Sequence, residues 1–218
     1  MAITYPYSLA DLADLLRVSS VTWDVQRNDE VSGLGDGRVW QAELAPPLWK
    51  AEVTLIDLGH NQAKQIAALI RKLHGAQESF WLYDPLSKFP QYDPDGTLMG
   101  SATPTVRVIA SDRVRMGLKG LPNRYKLAAG DKIQIAYGTN PVRNAFLEVC
   151  EATTASATDG TTVAFHVFPA IPTGVVADLP VILVRPACKV FILPGSHNPG
   201  RAQGMVTSGA GFTAIEKK

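Results

Sequence analysis

The stretch Trp49–Pro85, WKAEVTLIDLGHNQAKQIAALIRKLHGAQESFWLYDP, decides the fold because its periodicity changes twice. From Trp49 to Leu55 apolar and polar residues alternate, which predicts a strand with one buried face. Apolar residues then recur three and four positions apart, which predicts a helix over residues 60–74. The predicted buried stripe of this helix is Ala63, Ile66, Ala67, Ile70 and Leu73. A second strand follows at Phe80–Tyr83.

The ends of this helix carry recognisable signals. Asp57 or Asn61 can cap its start, and Gly75 suits the left-handed residue that follows a last turn. Asp84-Pro85 marks a turn after the second strand. The whole stretch contains no catalytic or ligand motif, which indicates that it serves to pack.

Three pieces of the stretch also form an ordered set: Trp-x-Ala-Glu-Val-Thr-Leu, a helix ending in Leu-x-Gly, and Phe-Trp-Leu-Tyr-Asp-Pro. Together they resemble the N-terminal part of the distal tail (baseplate hub, tail-tip) proteins of siphophages and prophages. The resemblance covers roughly the first hundred residues well and the rest loosely. The matching positions are Trp49, Glu52, Thr54, Leu55, Leu73, Gly75, Phe80, Leu82, Asp84 and Pro85.

This resemblance implies a structural, non-enzymatic part of a phage virion. It implies a homo-oligomer, usually a hexameric ring, that joins the tail tube protein to the central hub and the receptor-binding proteins. The ring would sit at the tail tip, and DNA would only pass through its lumen. The chain would be made in the host cytoplasm without a membrane anchor. Relatives also bring the C-terminus back to the first domain and insert a second β domain.

The composition indicates which classes of partner and which cellular compartment are expected. The 218 residues carry a formal net charge of +1, with 46% hydrophobic and 19% charged residues. This balance gives no support for steering by nucleic acid or by an anionic membrane. No apolar run approaches the ~20 residues needed to span a bilayer, and the N-terminus is a poor signal peptide. The two cysteines, Cys150 and Cys188, are expected to be buried thiols.

The predicted fold class is mainly β with one principal helix (α+β). Residues 1–100 and 195–218 are expected to form a split β-barrel-like N-terminal domain that carries the helix at 60–74. Short strands separated by Gly, Pro and Asp predict an inserted β-barrel or sandwich at 101–194. Within the first domain, Ser8–Asp11 predicts a capping box before a short helix. Gly195–Gly211 is expected to be an extended linker before a final strand at 212–216.

A long hairpin is expected before the opening stretch. Val21, Trp23 and Val25 indicate one strand, and residues 39–44 indicate its partner, with the Gly-rich loop Asn28–Gly37 between them. The partner strand should stop at Ala45-Pro46-Pro47, because proline cannot donate to a ladder. Two alternatives stay open for the loop: a disordered surface loop, or an arm that orders against a neighbouring subunit.

The sequence predicts no catalytic, cofactor-binding or metal-binding residue. The histidines are scattered without ligand spacing, and the Asp93–Gly96 run fits a plain turn better than a calcium loop, whose other ligands are missing. The tryptophans lie in strand patterns, so core packing is favoured over a sugar-binding platform. The alternative function is a carbohydrate-binding β module that contacts the host surface, and a hydrolase accessory to infection is a third. The four tryptophans are Trp23, Trp40, Trp49 and Trp81.

Overall fold

The computed structural model describes residues 4–33, 35 and 37–218. The fold is mainly β with one principal helix, as the sequence predicts. By its internal contacts the chain forms two compact units, one of residues up to Leu82 together with Lys189–Lys217, the other of Tyr83–Cys188 with the terminal lysine. In chain order the elements are β1 (Val18–Gly33), β2 (Val39–Leu55), β3 (Leu58–Gly59), α1 (His60–Lys72), β4 (Phe80–Tyr83), β5 (Thr105–Ile109), β6 (Arg115–Lys119), β7 (Lys126–Leu127), β8 (Lys132–Tyr137), β9 (Arg143–Val149), β10 (Thr153–Thr154), β11 (Phe165–Phe168), β12 (Val181–Ile182), β13 (Ala187–Ile192), β14 (Arg201–Gln203), β15 (Val206–Ser208) and β16 (Gly211–Glu216).

The first unit is built on a five-stranded sheet in the order β1-β2-β16-β13-β4. The C-terminal strand β16 lies inside this sheet, antiparallel to β2 on one side and to β13 on the other. Gly211 begins β16 so close to β2 that an added Cβ would lie 2.6 Å from the carbonyl oxygen of Val53. A side chain at this position would push the two strands apart. A smaller sheet, β14-β15-β3, completes the unit.

Helix α1 packs its apolar stripe against the sheet. All five predicted stripe residues are buried, while the lysines and arginine of the helix are exposed. The stripe meets Leu55 of β2 and Phe212 of β16, and the gap left between them is only about 10 Å³. Each fully buried Leu, Ile or Phe side chain here contributes about 1.5–3 kcal/mol. The predicted strand-helix-strand arrangement is therefore confirmed.

The ends of α1 differ in detail from the prediction. The N-cap is Gly59, with no side-chain hydrogen bond, so neither Asp57 nor Asn61 caps the helix. The helix stops at Lys72, two residues before the predicted end, because His74 and Gly75 both take positive φ angles of 50° and 68°. Gly75 is thus left-handed as predicted, and β3, which occupies the residues just before the helix, leaves no free Asp or Asn cap there.

The β1–β2 hairpin is longer than predicted. Strand β1 runs to Gly33, so much of the expected loop at Asn28–Gly37 is strand, and Leu34 and Asp36 of that loop lie outside the described residues. Strand β2 does not stop at Ala45-Pro46-Pro47 but continues through it. The register jumps there, from Gln26 opposite Leu48 to Asn28 opposite Ala45. The two prolines fall in this bulge, where the ladder needs no donor from them.

Two other segments of the first unit also differ from expectation. The predicted capping box is present, since Ser8 and Asp11 exchange hydrogen bonds, but the helix after it is a single 3-10 turn at Ala13–Leu15. The segment Gly195–Gly211 is not a plain linker. It folds into the β14–β15 hairpin, and β15 pairs with β3 next to α1.

The second unit is a nearly closed six-stranded barrel in the order β12-β8-β9-β11-β6-β5. The two edge strands come back together, because the Val106 N–H donates to Leu179 and the Val181 N–H donates to Pro104, both at 2.9 Å. A separate apolar core fills this barrel. Its fully buried members include Val106, Met116, Leu118, Ile133, Ile135, Val149 and Val167.

Asp93 anchors the irregular segment that precedes the barrel strands. Its carboxylate is fully buried and accepts from the N–H groups of Leu98 and Met99, each at 2.9 Å, and from the Tyr125 hydroxyl at 3.1 Å. The neighbouring Asp95 is exposed and accepts only from Thr97. The Asp93–Gly96 run is thus a turn. The carboxylate of its first residue accepts the hydrogen bonds of nearby donors that have no backbone carbonyl partner.

The tryptophans and cysteines correct two expectations about burial. Trp49 is buried, and Trp23 and Trp81 are half-buried. Trp40 is 67% exposed, so the prediction that it packs in the core is wrong. Cys188 is buried, whereas Cys150 is exposed because it lies just past the end of β9. The prediction of two buried thiols therefore holds for only one of them.

We expect Asp93→Ala to lower the free energy of unfolding by about 3 kcal/mol, because it leaves the Met99 N–H and the Tyr125 hydroxyl, both buried, and the part-buried Leu98 N–H without an acceptor. Asp95→Ala, in the same turn but exposed, should change it by less than about 1 kcal/mol. Chemical denaturation of both variants measures the difference. Equal effects would contradict the anchoring role of Asp93.

Candidate functional site: an uncovered arm and two grooves

The distal half of the β1–β2 hairpin extends beyond the sheet that carries it. Strand β16 pairs with β2 only between Lys50 and Thr54, and every residue from Val39 to Pro46 is exposed. We call residues 28–33 and 39–46 the arm. Among the described residues nothing packs on either of its faces. Because two-stranded ribbons are only marginally stable in water, an arm of this length is expected to have a partner.

Cross-strand pairing sorts the arm's side chains onto two different faces. Trp40 lies opposite Ser32, and Ala42 lies opposite Glu30. Leu44 has the same parity as Trp40 and Ala42, so these residues share a face, which we call the Trp face. Trp40 and Leu44 are 67% and 68% exposed, which is unusual for side chains of this size. The Trp face therefore presents a continuous apolar strip with Glu30 beside its centre.

The opposite face of the arm carries a small polar network together with two exposed valines, Val31 and Val39. Arg27 Nε donates to Asp29 Oδ2 at 2.6 Å, and its Nη2 lies 4.0 Å from Glu43 Oε2. The Gln41 amide also donates to Asp29. The hydrogen bond from Arg27 is the largest influence that holds the pKa of Asp29 below its usual value. Arg27 therefore offsets part of the negative charge on this face, while Asp29 Oδ1 is buried without a hydrogen-bond partner among the described residues.

A groove in the same unit runs along α1. It has a volume of about 490 Å³ and lies between α1 and residues 199–207. Its floor is made of small residues, including Ala63, Ala67 and Ala202, and its cationic side chains are Lys64 and Arg71. No carboxylate of the described residues lines it. We call it the helix groove.

His60 fastens the wall of the helix groove to the helix. Its Nε2 lies 3.0 Å from the carbonyl oxygen of Gly204, which can only accept, so Nε2 carries the hydrogen. Its Nδ1 then accepts from the Thr207 hydroxyl at 2.9 Å. His197, nearby, is half-buried, and burial together with the charge of Arg71 lowers its pKa. Both histidines therefore have structural surroundings, as expected for satisfied side chains.

A second groove, of about 500 Å³, lies in the barrel unit. It is formed by the β8–β9 connection and residues 172–174. Its polar side chains are Tyr137, Thr139, Asn140, Arg143 and Thr173. Gly174 lies against the Tyr137 ring so closely that an added Cβ would be 2.7 Å from Cδ2. An aromatic ring beside amide, hydroxyl and guanidinium groups is a combination found in small-ligand sites.

Arg113 holds the wall of this barrel groove. Its Nε donates to the Ile171 carbonyl at 2.8 Å and its Nη2 to the Val175 carbonyl at 2.9 Å, with a further bond to the Pro172 carbonyl. Arg113 itself has a φ of +55°, a conformation that non-glycine residues rarely adopt. The guanidinium therefore fixes the loop 171–175 at the cost of local strain.

One buried charged cluster lies elsewhere in the barrel unit. Lys132 of β8 pairs with the directly opposite Glu148 of β9. Burial raises the pKa of Asp84, and the nearby Lys132 partly offsets this. Burial, followed by the charge of Glu148, also raises the pKa of the Cys150 thiol. A raised pKa disfavours the thiolate, so Cys150 has no surroundings that would activate it as a nucleophile.

Neither a metal site nor a membrane helix is found in the described part of the chain. Within residues 4–33, 35 and 37–218, no three His, Cys, Asp or Glu side chains are placed to hold a metal ion. Over the same residues, no helix combines the length and the apolar character that crossing a bilayer requires. His74 and His166 are both exposed and distant in sequence from the other two histidines.

No family model matches the chain, and a search of curated proteins finds no match to it.

The exposure of the arm predicts a sharp change in protection within one strand. In dilute solution, amides of residues 39–46 should exchange hydrogen at least about tenfold faster than those of residues 50–55, because only the latter lie between two paired strands. Hydrogen exchange with mass spectrometry measures both halves of β2 in one experiment. Uniform protection along β2 would show that the arm is as stable as the sheet.

Proposed function

We propose that this chain is a structural component of a phage tail tip, which forms a ring that joins the tail tube to the central hub and the host-recognition apparatus. The single observation that carries the proposal is the uncovered Trp face of the arm. Large exposed apolar strips on a soluble protein mark interaction surfaces. The proposed partners are further copies of the chain, the tail tube protein, the hub and the receptor-binding proteins.

The arm suits assembly for a physical reason. An arm that leaves its own sheet can cover another subunit without any rearrangement of the core. Burying Trp40 and Leu44 against a partner would recover a few kcal/mol each, the scale of an interface hot spot. When each copy offers the same contact to the next, repetition around an axis gives a closed ring. The hexameric copy number rests on the resemblance alone.

The positions that carry the resemblance are mainly structural ones. Trp49, Leu55, Leu73, Phe80 and Leu82 are all buried in the first unit. Asp84 accepts from the Leu86 N–H and so caps the short 3-10 helix Pro85–Ser87. The resemblance thus supports a shared framework. The arm supports assembly with a partner, while the tail-tip location and the passage of DNA through the lumen rest on the resemblance.

We expect the full chain to associate in a concentration-dependent way, and Trp40→Ser to raise the dissociation constant about 30-fold or more, as for loss of an interface hot spot. Val39→Ser is the matched control, because Val39 is also 67% exposed but lies on the other face. Native mass spectrometry and negative-stain electron microscopy of both variants give the copy number and the shape. A chain that stays monomeric at about 100 µM, alone and with a tail tube protein, would contradict the ring.

The barrel groove favours a second candidate function, carbohydrate binding at the host surface. Tyr137 offers an aromatic face, and Asn140, Thr173 and Arg143 offer hydrogen-bonding groups in an open groove. This is the arrangement that a sugar needs, a flat apolar support with polar groups at its edge. Such a function is compatible with a tail-tip location and does not need an enzyme site.

We expect, under this second function, that the full chain binds a glycan on an array and that Tyr137→Ala weakens binding about tenfold or more. Tyr92→Ala is the control, because Tyr92 is an exposed tyrosine that does not line the groove. Titration of the best array ligand by calorimetry measures the change. Equal weakening by both substitutions, or no binding by the intact chain, would remove carbohydrate binding through this groove.

A further inference from the structure

The arm and the helix groove of the same chain carry opposite charges. The arm, residues 28–33 and 39–46, contains three acidic residues and no basic one, a net of −3, of which Arg27 beside the arm offsets one charge. The helix groove is lined by Lys64 and Arg71 and by no acidic residue among those described, a charge of +2. Opposite charge on two surfaces of one chain favours contact between copies. The acidic residues of the arm are Asp29, Glu30 and Glu43.

Only one of the described acids is positioned on the apolar face of the arm. Asp29 and Glu43 lie on the opposite face near Arg27. Glu30 is exposed, pairs across the ribbon with Ala42, and is part of no ion pair among the described residues. The Trp face thus offers an aromatic ring, a carboxylate and an aliphatic group in that order along its length.

The helix groove offers matching features at a similar spacing. Ala63 and Ala67 form a floor without bulky side chains, which leaves room for a tryptophan and a leucine. Lys64 and Arg71 are exposed, and neither is in an ion pair with a described residue. Seven residues of helix separate these two cations by about 10 Å. Trp40 and Leu44 are separated by about 13 Å along the strand. A carboxylate placed between the two apolar groups therefore falls within reach of the cations.

We propose that the Trp face of the arm of one copy docks in the helix groove of a second copy of this chain. Trp40 and Leu44 lie over the alanine floor, and Glu30 pairs with Lys64 or Arg71. The arm does not fill the groove of its own chain, because residues 39–46 are all exposed. Each copy gives one arm and receives another, a head-to-tail contact that closes into a ring. The inference rests on the proposed assembly function and names the interface that it uses.

A photo-crosslinker placed on the Trp face tests this contact directly. Trp40→p-benzoylphenylalanine in the full chain, mixed from nitrogen-14 and nitrogen-15 preparations, should give mixed-isotope crosslinks to peptides from 60–72 or 199–207. The same group placed at Val39 should give these crosslinks at less than about one tenth of the yield, because it faces away. Crosslinks from position 40 to any other segment, or only within one chain, would overturn the proposed docking.

A charge exchange tests the role of Glu30. Glu30→Lys alone, and Lys64→Glu with Arg71→Glu, should each weaken association about tenfold or more, and the triple variant should recover most of the loss. Lys72→Glu is the control, because it reverses a charge on the same helix outside the groove. Failure of the triple variant to recover association would overturn the pairing.

The outcomes separate this inference from the proposed function. A ring that forms normally but crosslinks elsewhere removes the arm-to-helix contact and leaves the assembly function in place. A chain that forms no oligomer removes both. Crosslinks from position 40 to a tail tube protein instead of to a second copy would assign the arm to a different neighbour and also overturn the docking.

Discussion

The structure depends on the burial of one face of β2 between Trp49 and Leu55. That face receives α1 from above, while the strand edges receive β1 and β16, so a single strand joins the helix, the hairpin and the C-terminus. Removal of water from these apolar groups drives the arrangement. The same strand then continues past the core as half of the arm. Rigidity in the core thus supports an element that has no core of its own.

Periodicity was sufficient to predict the elements that meet the core. In α1 and in Trp49 to Leu55 the apolar residues recur at the period of a helix and of a strand. They therefore mark the face with which each element packs against the rest of the unit. The Gly, Pro and Asp residues between short apolar runs likewise predicted the β fold of the second unit. These features are encoded locally and can be recognised in one sequence.

The same signal could not reveal whether a strand face is covered. Trp40 alternates with polar neighbours just as Trp49 does, yet one is exposed and the other buried. Alternation defines a face, while its cover comes from residues distant in the chain: α1 packs against the sheet at Leu55, and β16 extends the sheet beside β2 only as far as Lys50. The bulge at Pro46-Pro47 could not be predicted for a related reason, because the register depends on how two strands pair and not on the sequence of one strand. The Gly-rich tip only a few residues from Trp40 was the one available sign that this tryptophan lies far from the core.

The bulge at Pro46-Pro47 has a mechanical consequence. Between Gln26 and Asn28 the two strands exchange no regular ladder bonds, so the arm joins the sheet at an elbow. The regular ladder is interrupted there and again between Asn28 and Asp29, so bending at this point disturbs fewer ladder hydrogen bonds than bending where the register is regular. The angle between the arm and the five-stranded sheet is therefore easier to change than the shape of the sheet itself. In the proposed ring, such an elbow would let the subunits fit tubes of somewhat different diameter.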